Sequence, residues 1–206
     1  MQDKMKKLHK RTVKKSRTTK SAPKAVATGG RSVSNGDHLR VVFTEKQIKK
    51  RVGELAKEVN RDVQGKTLHV IGILENCFLF MADLVRDLRV PVICHFLKAE
   101  TTDTSSGTTA IREIVYTPHV DVAGKDVLLV DGILQSGVTI DHLVRLMQSQ
   151  QANSVRIAEL IEKSDEKKVD VATAYIGFKT QEKFLVGYGL GFQDKYRNLP
   201  HIATLT

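Results

Sequence analysis

The sequence predicts an α/β fold in which a parallel β-sheet is flanked by helices. Two observations carry this prediction. Apolar strand-like segments alternate with segments of helical periodicity, and the most apolar stretch, residues 127–130, leads through a Ser-Gly turn into a helix. The length of 206 residues is sufficient for one such domain with a substantial core. We place that domain at residues 38–206, after a basic tail at residues 1–37.

The elements of the first half follow in order from local signals. Thr44 and Gln47 form a capping-box pattern, and apolar residues at helical spacing extend the predicted helix to residue 60. The next predicted elements are a buried strand (66–74), a turn at Glu75-Asn76, a helix (77–88) and a strand (90–97). The polar segment 98–109 predicts a mobile loop, and residues 112–117 predict an edge or hairpin strand.

The segment from residue 127 to residue 139 has the pattern of a phosphate-binding turn. Its apolar strand ends at Asp131, and the run Ser136-Gly137-Val138-Thr139 opens a segment with helical spacing. Such a turn points backbone N–H groups and the positive end of a helix at one spot, where the Ser136 and Thr139 hydroxyls add donors. The same pattern fits an ordinary strand–helix turn, so both interpretations stand at this point.

The last part of the chain predicts three more strands, over residues 155–161, 173–178 and 184–188. In parallel sheets of this kind, ligands bind at the carboxyl ends of the strands. We therefore expect the loops at Glu75, at 98–109 and at 131–139 to gather at one edge of the sheet.

The formal net charge of +10 lies in the tail. Residues 1–31 contain eleven Lys or Arg and one acid, whereas the 22 basic and 22 acidic residues of the remainder cancel. Low apolar content predicts a disordered tail, and because it has no aromatic residue, contacts to nucleic acid would be to phosphates. We expect it to bind RNA or a ribonucleoprotein, with a targeting segment or a solubilising extension as alternatives. The candidate polyanion-binding residues are Lys6, Lys7, Lys10, Arg11, Lys14, Lys15, Arg17 and Lys20.

Several classes of protein are disfavoured by the residue content. No apolar run approaches the roughly 18 residues of a membrane span and no signal-peptide pattern occurs, so we expect no membrane partner. The expected compartment is the cytoplasm, with an organelle matrix or the nucleus as alternatives in a eukaryote. Cys77 and Cys94 lie in apolar surroundings and are expected to be buried free thiols. The seven histidines show no metal-ligand spacing, so we expect no metal site.

From about residue 39 to residue 206 the sequence resembles the hypoxanthine-guanine phosphoribosyltransferases. The matching blocks, in the order found in that family, are residues 78–84 (Phe-Leu-Phe-Met-Ala-Asp-Leu), 91–96, 127–139, 182–190 and 195–200. The resemblance implies a type I phosphoribosyltransferase fold with a small C-terminal hood, and assembly into homo-oligomers. It also implies transfer of a purine base to phosphoribosyl pyrophosphate with Mg²⁺, with release of pyrophosphate.

The resemblance carries over to individual positions unevenly. Residues that it assigns to phosphate or nucleotide binding are Asp131, Ser136, Gly137, Thr139, Phe184, Leu185 and Arg197. Five positions depart from the family pattern. They are Glu75 (where the family has the Lys of a Lys-Gly turn), Gly132 (the second of two acids), Gln135 (the proton-handling Asp), Ala172 (the purine-recognising Lys) and Gly191 (the metal-proximal Asp).

These five departures lead us to expect that catalysis is lost. The first hypothesis is a catalytically degenerate pseudoenzyme that serves as a binding, structural or regulatory component, anchored to RNA by its tail. It would need no cofactor, and a nucleotide or phosphate could remain its ligand. The alternative is an active hypoxanthine/guanine phosphoribosyltransferase of purine salvage, with Mg²⁺ at a site rebuilt from Asp131, Asp103 or Asp194. A third hypothesis is a structural subunit that uses the family's dimer surface.

Overall fold

The computed structural model describes residues 38–103, 109–117 and 120–206. The α-helices in these ranges are α1 (Glu45–Asp62), α2 (Phe78–Arg86) and α3 (Val138–Ser149). The strands are β1 (Leu39–Phe43), β2 (Leu68–Leu74), β3 (Val92–Asp103), β4 (Thr109–Thr117), β5 (Asp126–Leu134), β6 (Ser154–Glu162), β7 (Tyr175–Lys179), β8 (Leu185–Val186) and β9 (Ile202–Leu205). A 3₁₀ turn at Ser164–Glu166 follows β6.

The main sheet has six strands in the order β4-β3-β2-β5-β6-β7. The adjacent strands β3, β2, β5, β6 and β7 pair in parallel. Strand β4 lies at the edge of the sheet and pairs antiparallel with β3. A second, antiparallel sheet with the order β1-β9-β8 forms the small hood. The predicted α/β fold with a parallel sheet, flanking helices and a hood is therefore confirmed.

The core lies on both faces of the main sheet. One face buries Leu55 of α1 and Phe80 of α2 against strand residues such as Val130. The opposite face buries Leu143 and Met147 of α3 against alternate strand residues. Because both faces are covered, β2 and β5 are almost continuously apolar, as parallel strands between helical layers require. This packing fixes the carboxyl ends of β2 and β5 side by side.

Several local predictions can be compared with the structure. The predicted cap of α1 is present: the Gln47 N–H donates to the Thr44 hydroxyl, and the Thr44 N–H donates to the Gln47 side chain at 2.9 Å. The loop predicted for 98–109 is wrong for residues 98–103, which continue β3, while 104–108 lie outside the described residues. Both cysteines are free, but Cys94 is exposed and not buried as expected.

The tail predictions fall on residues 1–37, which lie outside the described residues. In the part of the chain that the structure does describe, the helices are all too short or too polar to cross a membrane.

Candidate active site

The turn between β5 and α3 is the first part of the candidate site. Gly137 caps α3 with a left-handed backbone (φ 80°), and a Cβ there would lie 2.6 Å from the backbone oxygen of Val169. The N–H groups of Lys168 and Val169 donate to the Ser136 carbonyl at 2.9 and 3.1 Å. The loop after β6 therefore fixes the shape of the turn, and glycine is the residue that fits at its centre.

A cavity of about 590 Å³, which we call the phosphate cavity, lies in front of this turn. It is lined by Asp131, Ile133, Leu134, Gln135, Ser136, Gly137, Thr139, Ile140, Glu166 and Lys168. Within the described residues, the Thr139 hydroxyl and the Gln135 amide make no hydrogen bond, so both can reach a ligand. Hydroxyls and N–H groups at the start of a helix are the donors that a phosphate group needs. The predicted strand–turn–helix arrangement is thus present, and phosphate binding by this turn stays a prediction.

Two carboxyl groups lie on neighbouring strands here: Asp131, which lines the cavity and is partly buried, and Glu159, which is fully buried beside it. Asp131 of β5 is the register partner of Glu159 of β6, so both side chains leave the same face of the sheet. Asp131 accepts the Gly132 N–H at 2.7 Å, and burial raises its pKa to about 7. Glu159 is fully buried, and neither of its carboxyl oxygens has a hydrogen-bond partner among the described residues. Burial and then the nearby Asp131 charge raise the pKa of Glu159 well above its usual value.

A cluster of charged groups follows β2, and we call it the Glu75 cluster: Glu75, Asn76, Lys98 and Arg197. Arg197 donates from Nη2 to Glu75 Oε2 at 3.0 Å, and from Nη1 to Asn76 Oδ1 at 2.7 Å and the Gly189 carbonyl at 2.8 Å. Lys98 Nζ lies 3.7 Å from the other oxygen of Glu75. The sequence places an acid at Glu75 where the family has a Lys. The structure shows that two cations neutralise this carboxylate.

Three glycines allow the two corners to approach one another. A Cβ at Gly132 would lie 2.4 Å from the Asn76 carbonyl oxygen, and one at Gly189 (φ 96°) would lie 2.6 Å from the same atom. A Cβ at Gly191 would lie 2.8 Å from the Arg197 guanidinium carbon. The absence of an acid at Gly132 is therefore a packing requirement of this chain, since a backbone carbonyl occupies the space of that side chain, whereas at Gly191 the space is filled by the Arg197 side chain.

A smaller cavity of about 300 Å³, the aromatic cavity, lies beside the phosphate cavity. It is lined by Asn76, Ile133, Gln135, Lys183, Phe184, Leu185, Leu190, Gly191 and Phe192. The Phe184 ring is 58% exposed and meets the Phe192 ring edge-on, with centroids 6.3 Å apart. Exposed aromatic faces suit a flat ligand such as a nucleobase. Gln135 and Ile133 line both cavities, so one ligand can reach from the turn to the two rings.

The structure brings together most of the residues named from the sequence. Asp131, Gln135, Ser136, Gly137 and Thr139 line the phosphate cavity, while Phe184, Leu185 and Gly191 line the aromatic cavity and Arg197 joins the Glu75 cluster. Ala172 is exposed and is in neither lining. Sequence reasoning missed Glu159, Glu166, Lys168 and Phe192. Glu159 alone carried a visible signal, an acid inside an apolar strand.

The described side chains contain no cluster of three or more metal ligands. Across residues 38–103, 109–117 and 120–206, no group of three or more His, Cys, Asp or Glu could hold a metal. Asp131 already accepts a backbone N–H, Glu75 is paired with two cations, and Asp194 does not join Asp131 in any such group. The Asp103 side chain lies outside the described residues. Mg²⁺ often binds through one or two carboxylates together with substrate phosphates, so the ion would be carried by a diphosphate substrate.

Comparison with known proteins decides the family. The model of the phosphoribosyl transferase domain matches residues 42–193. The hypoxanthine-guanine phosphoribosyltransferase of Dictyostelium discoideum is 37% identical over 169 residues, covering 80% of this chain and 94% of that protein. The chain belongs to the hypoxanthine-guanine phosphoribosyltransferase family. The family enzyme of Bacillus subtilis is 32% identical, covering 82% of this chain and 94% of its own length.

Solved structures of the family superpose on this fold. A hypoxanthine phosphoribosyltransferase of Staphylococcus aureus gives a TM-score of 0.78 at 33% identity, covering 85% of this chain and 96% of its own. A Trypanosoma cruzi hypoxanthine phosphoribosyltransferase variant, solved with its product IMP, gives a TM-score of 0.75 at 27% identity. The match covers 86% of this chain and 94% of that protein.

These relatives correct the first hypothesis drawn from the sequence. The expectation of a catalytically degenerate, RNA-anchored component is wrong, because relatives matched over nearly their whole length are named as phosphoribosyltransferases. The same finding corrects the expectation that the protein is not an enzyme, and it favours the alternative. The altered residues do not act alone in the structure, since Glu75 is paired with Arg197 and Lys98.

Proposed function

We propose that this protein is a hypoxanthine/guanine phosphoribosyltransferase of purine salvage. One observation carries the proposal: Gln135 and Ile133 line both a cavity at a phosphate-type turn and a cavity walled by two exposed aromatic rings. A nucleotide has these two parts, a phosphate and a flat base, joined by a ribose. The names of the relatives, matched over 94–96% of their own length, support the same activity.

The described residues suggest a role for each part of the site. Ser136, Gly137 and Thr139 would hold the 5′-phosphate, and Phe184 would stack on the purine. Asp131 would bind the ribose hydroxyls in its carboxylate form. In the transfer, the base nitrogen bonds to ribose C1 while the bond from C1 to the pyrophosphate oxygen breaks. The Gln135 amide cannot take up a proton, so the proton of the base would leave to solvent.

The catalytic contribution of this chain would therefore rest on alignment and charge. Holding two reactants in line supplies a large part of the rate in such reactions, and fixed cations stabilise the departing pyrophosphate. Arg197 is held by three acceptors, which preorganises one such cation. Mg²⁺ would enter with the pyrophosphate group of the substrate. We further propose a homo-oligomer with a purine nucleoside monophosphate as bound product.

The test is nucleotide formation by the purified full-length protein. Hypoxanthine and guanine are each supplied with phosphoribosyl pyrophosphate and Mg²⁺, and IMP or GMP is measured against a no-protein blank. We expect turnover on the order of 1 s⁻¹, at the lower end of ordinary enzymes because Gln135 is not a base. Nucleotide formation no faster than the blank, in protein that still binds IMP, would overturn the proposal.

A further inference from the structure

The Glu75 cluster contains two cations that share one carboxylate. Arg197 Nη2 lies 3.0 Å from Glu75 Oε2, and Lys98 Nζ lies 3.7 Å from Glu75 Oε1, so each carboxyl oxygen faces one cation. The formal charge of these three groups is +1 with Glu75 in place and +2 without it. Two cations that converge on one small volume can bind an anion at the position now taken by the carboxylate.

The backbone around the cluster is fixed, whereas the Glu75 side chain is not enclosed. Gly132 and Gly189 pack directly against the Asn76 carbonyl, so the turn after β2 has no room to shift. The Glu75 side chain is itself 50% exposed and has no described partner other than the two cations. It can therefore rotate into solvent without a rearrangement of the backbone.

Arg197 would keep its position when Glu75 leaves. Two of its three acceptors, the Asn76 side chain and the Gly189 carbonyl, are independent of Glu75 and lie at 2.7 and 2.8 Å. Lys98 is placed by β3, where it is the register partner of Leu74. The departure of Glu75 would leave the fixed Arg197 and the more mobile Lys98 ammonium without their shared carboxylate, beside Asn76, which also lines the aromatic cavity.

We propose that Glu75 is an exchangeable internal counterion that makes this second anion subsite selective for a multiply charged ligand, a diphosphate group. A ligand with one negative charge that displaces the Glu75 carboxylate only restores the same charge beside the two cations, so it gains little binding free energy. A diphosphate delivers at least two negative charges to two cations, and charge-assisted contacts to phosphate oxygens are strong. This inference rests on the proposed function for the identity of the diphosphate carrier, but the subsite can be tested without turnover.

The experiment measures binding of inorganic pyrophosphate by calorimetry to the wild-type protein and to the Glu75→Gln variant. Removing the competing charge should tighten pyrophosphate binding by about tenfold at low salt, with the gain reduced at high salt. IMP, which carries no diphosphate, should bind both proteins within about twofold. Glu54→Gln is the matched control, because Glu54 is a half-exposed acid between Lys50 and Arg51 on α1.

Three results would overturn the inference. Unchanged pyrophosphate affinity in Glu75→Gln would mean that the carboxylate does not compete for the cations. Weaker pyrophosphate binding in that variant would mean that Glu75 instead positions Arg197. An equal gain for IMP, or for the Glu54→Gln control, would mean that only the overall charge matters. If nucleotide formation is absent but the pyrophosphate gain is present, the proposed function fails and the subsite stands.

Discussion

The phosphate cavity and the Glu75 cluster lie at the carboxyl ends of two neighbouring strands. They differ in whether their hydrogen-bond donors and charged groups already have partners within the protein. In the phosphate cavity the donors of the turn face open space, and Thr139 and Gln135 have no partner among the described residues. In the Glu75 cluster every charged group is paired, and Arg197 donates to three acceptors. The donors of the first corner face a cavity, whereas the cations of the second corner already face a carboxylate.

This difference shows why an altered position should be judged with its neighbours. An acid at Glu75 would repel a phosphate if it stood alone, but Arg197 and Lys98 neutralise it. The glycine at 191 removes a carboxylate from one side of Arg197, and Glu75 supplies one from another side.

The largest expected effect comes from Gly132→Ala, which would break the contact between the two corners. The new Cβ would lie 2.4 Å from the Asn76 carbonyl oxygen, a backbone atom that cannot rotate away. We expect a loss of about 3 kcal/mol in the free energy of unfolding, measured by urea denaturation. Pyrophosphate affinity should fall as well, since Asn76 holds Arg197.

The control for this substitution is Gly53→Ala in α1. Its Cβ would meet nothing closer than Asp87 Oδ2 at 3.8 Å, so the higher helix propensity of alanine should stabilise the protein by about 0.5–1 kcal/mol. If Gly132→Ala is as stable as the wild type, the two corners are not coupled through Asn76.

The next effect is confined to the phosphate cavity. Thr139→Val removes a free hydroxyl at nearly constant volume, and a hydrogen bond to a charged phosphate contributes about 1.5–3 kcal/mol. We expect IMP to bind at least about tenfold more weakly, measured by calorimetry, with pyrophosphate affinity unchanged. Thr139→Ser keeps the hydroxyl and should bind IMP almost as well as the wild type. Equal losses for IMP and pyrophosphate would show that the two corners form one anion site.

Part of this arrangement was predictable from the sequence and part was not. The Thr44 cap and the Ser136–Thr139 turn depend on residues close together in the chain, and both were predicted correctly. The continuation of β3 to Asp103 was missed because its polar residues resemble a loop, although pairing with β4 supplies the backbone hydrogen bonds. The Glu75–Arg197 contact joins residues 122 positions apart, which no local pattern can reveal.

A pH-dependent effect on stability is expected from Asp131 in the phosphate cavity. The pKa of Asp131 is raised from 3.8 to about 7, so the folded state binds its proton more tightly than the unfolded state does. The free energy of unfolding should therefore be highest below about pH 4 for this group and should fall as pH rises to about 7. We expect a loss of about 2 kcal/mol between pH 5 and pH 7.5. Urea denaturation of Asp131→Asn should show a smaller loss of unfolding free energy over this pH range than the wild type does. The loss that remains would come from Glu159. A loss equal to that of the wild type would contradict the assignment to Asp131.

The smallest expected effect distinguishes the two cations of the Glu75 cluster. Lys98 lies 3.7 Å from Glu75 Oε1 with both side chains half exposed, and such pairs contribute about 0.5 kcal/mol or less to stability. Lys98→Gln should therefore leave the free energy of unfolding within about 0.5 kcal/mol of the wild type. It should weaken pyrophosphate binding only about twofold, because Arg197 keeps its three acceptors and remains the fixed cation. A tenfold loss in Lys98→Gln would instead identify Lys98 as the principal anion-binding group, and Arg197 as the group that anchors the turn after β2.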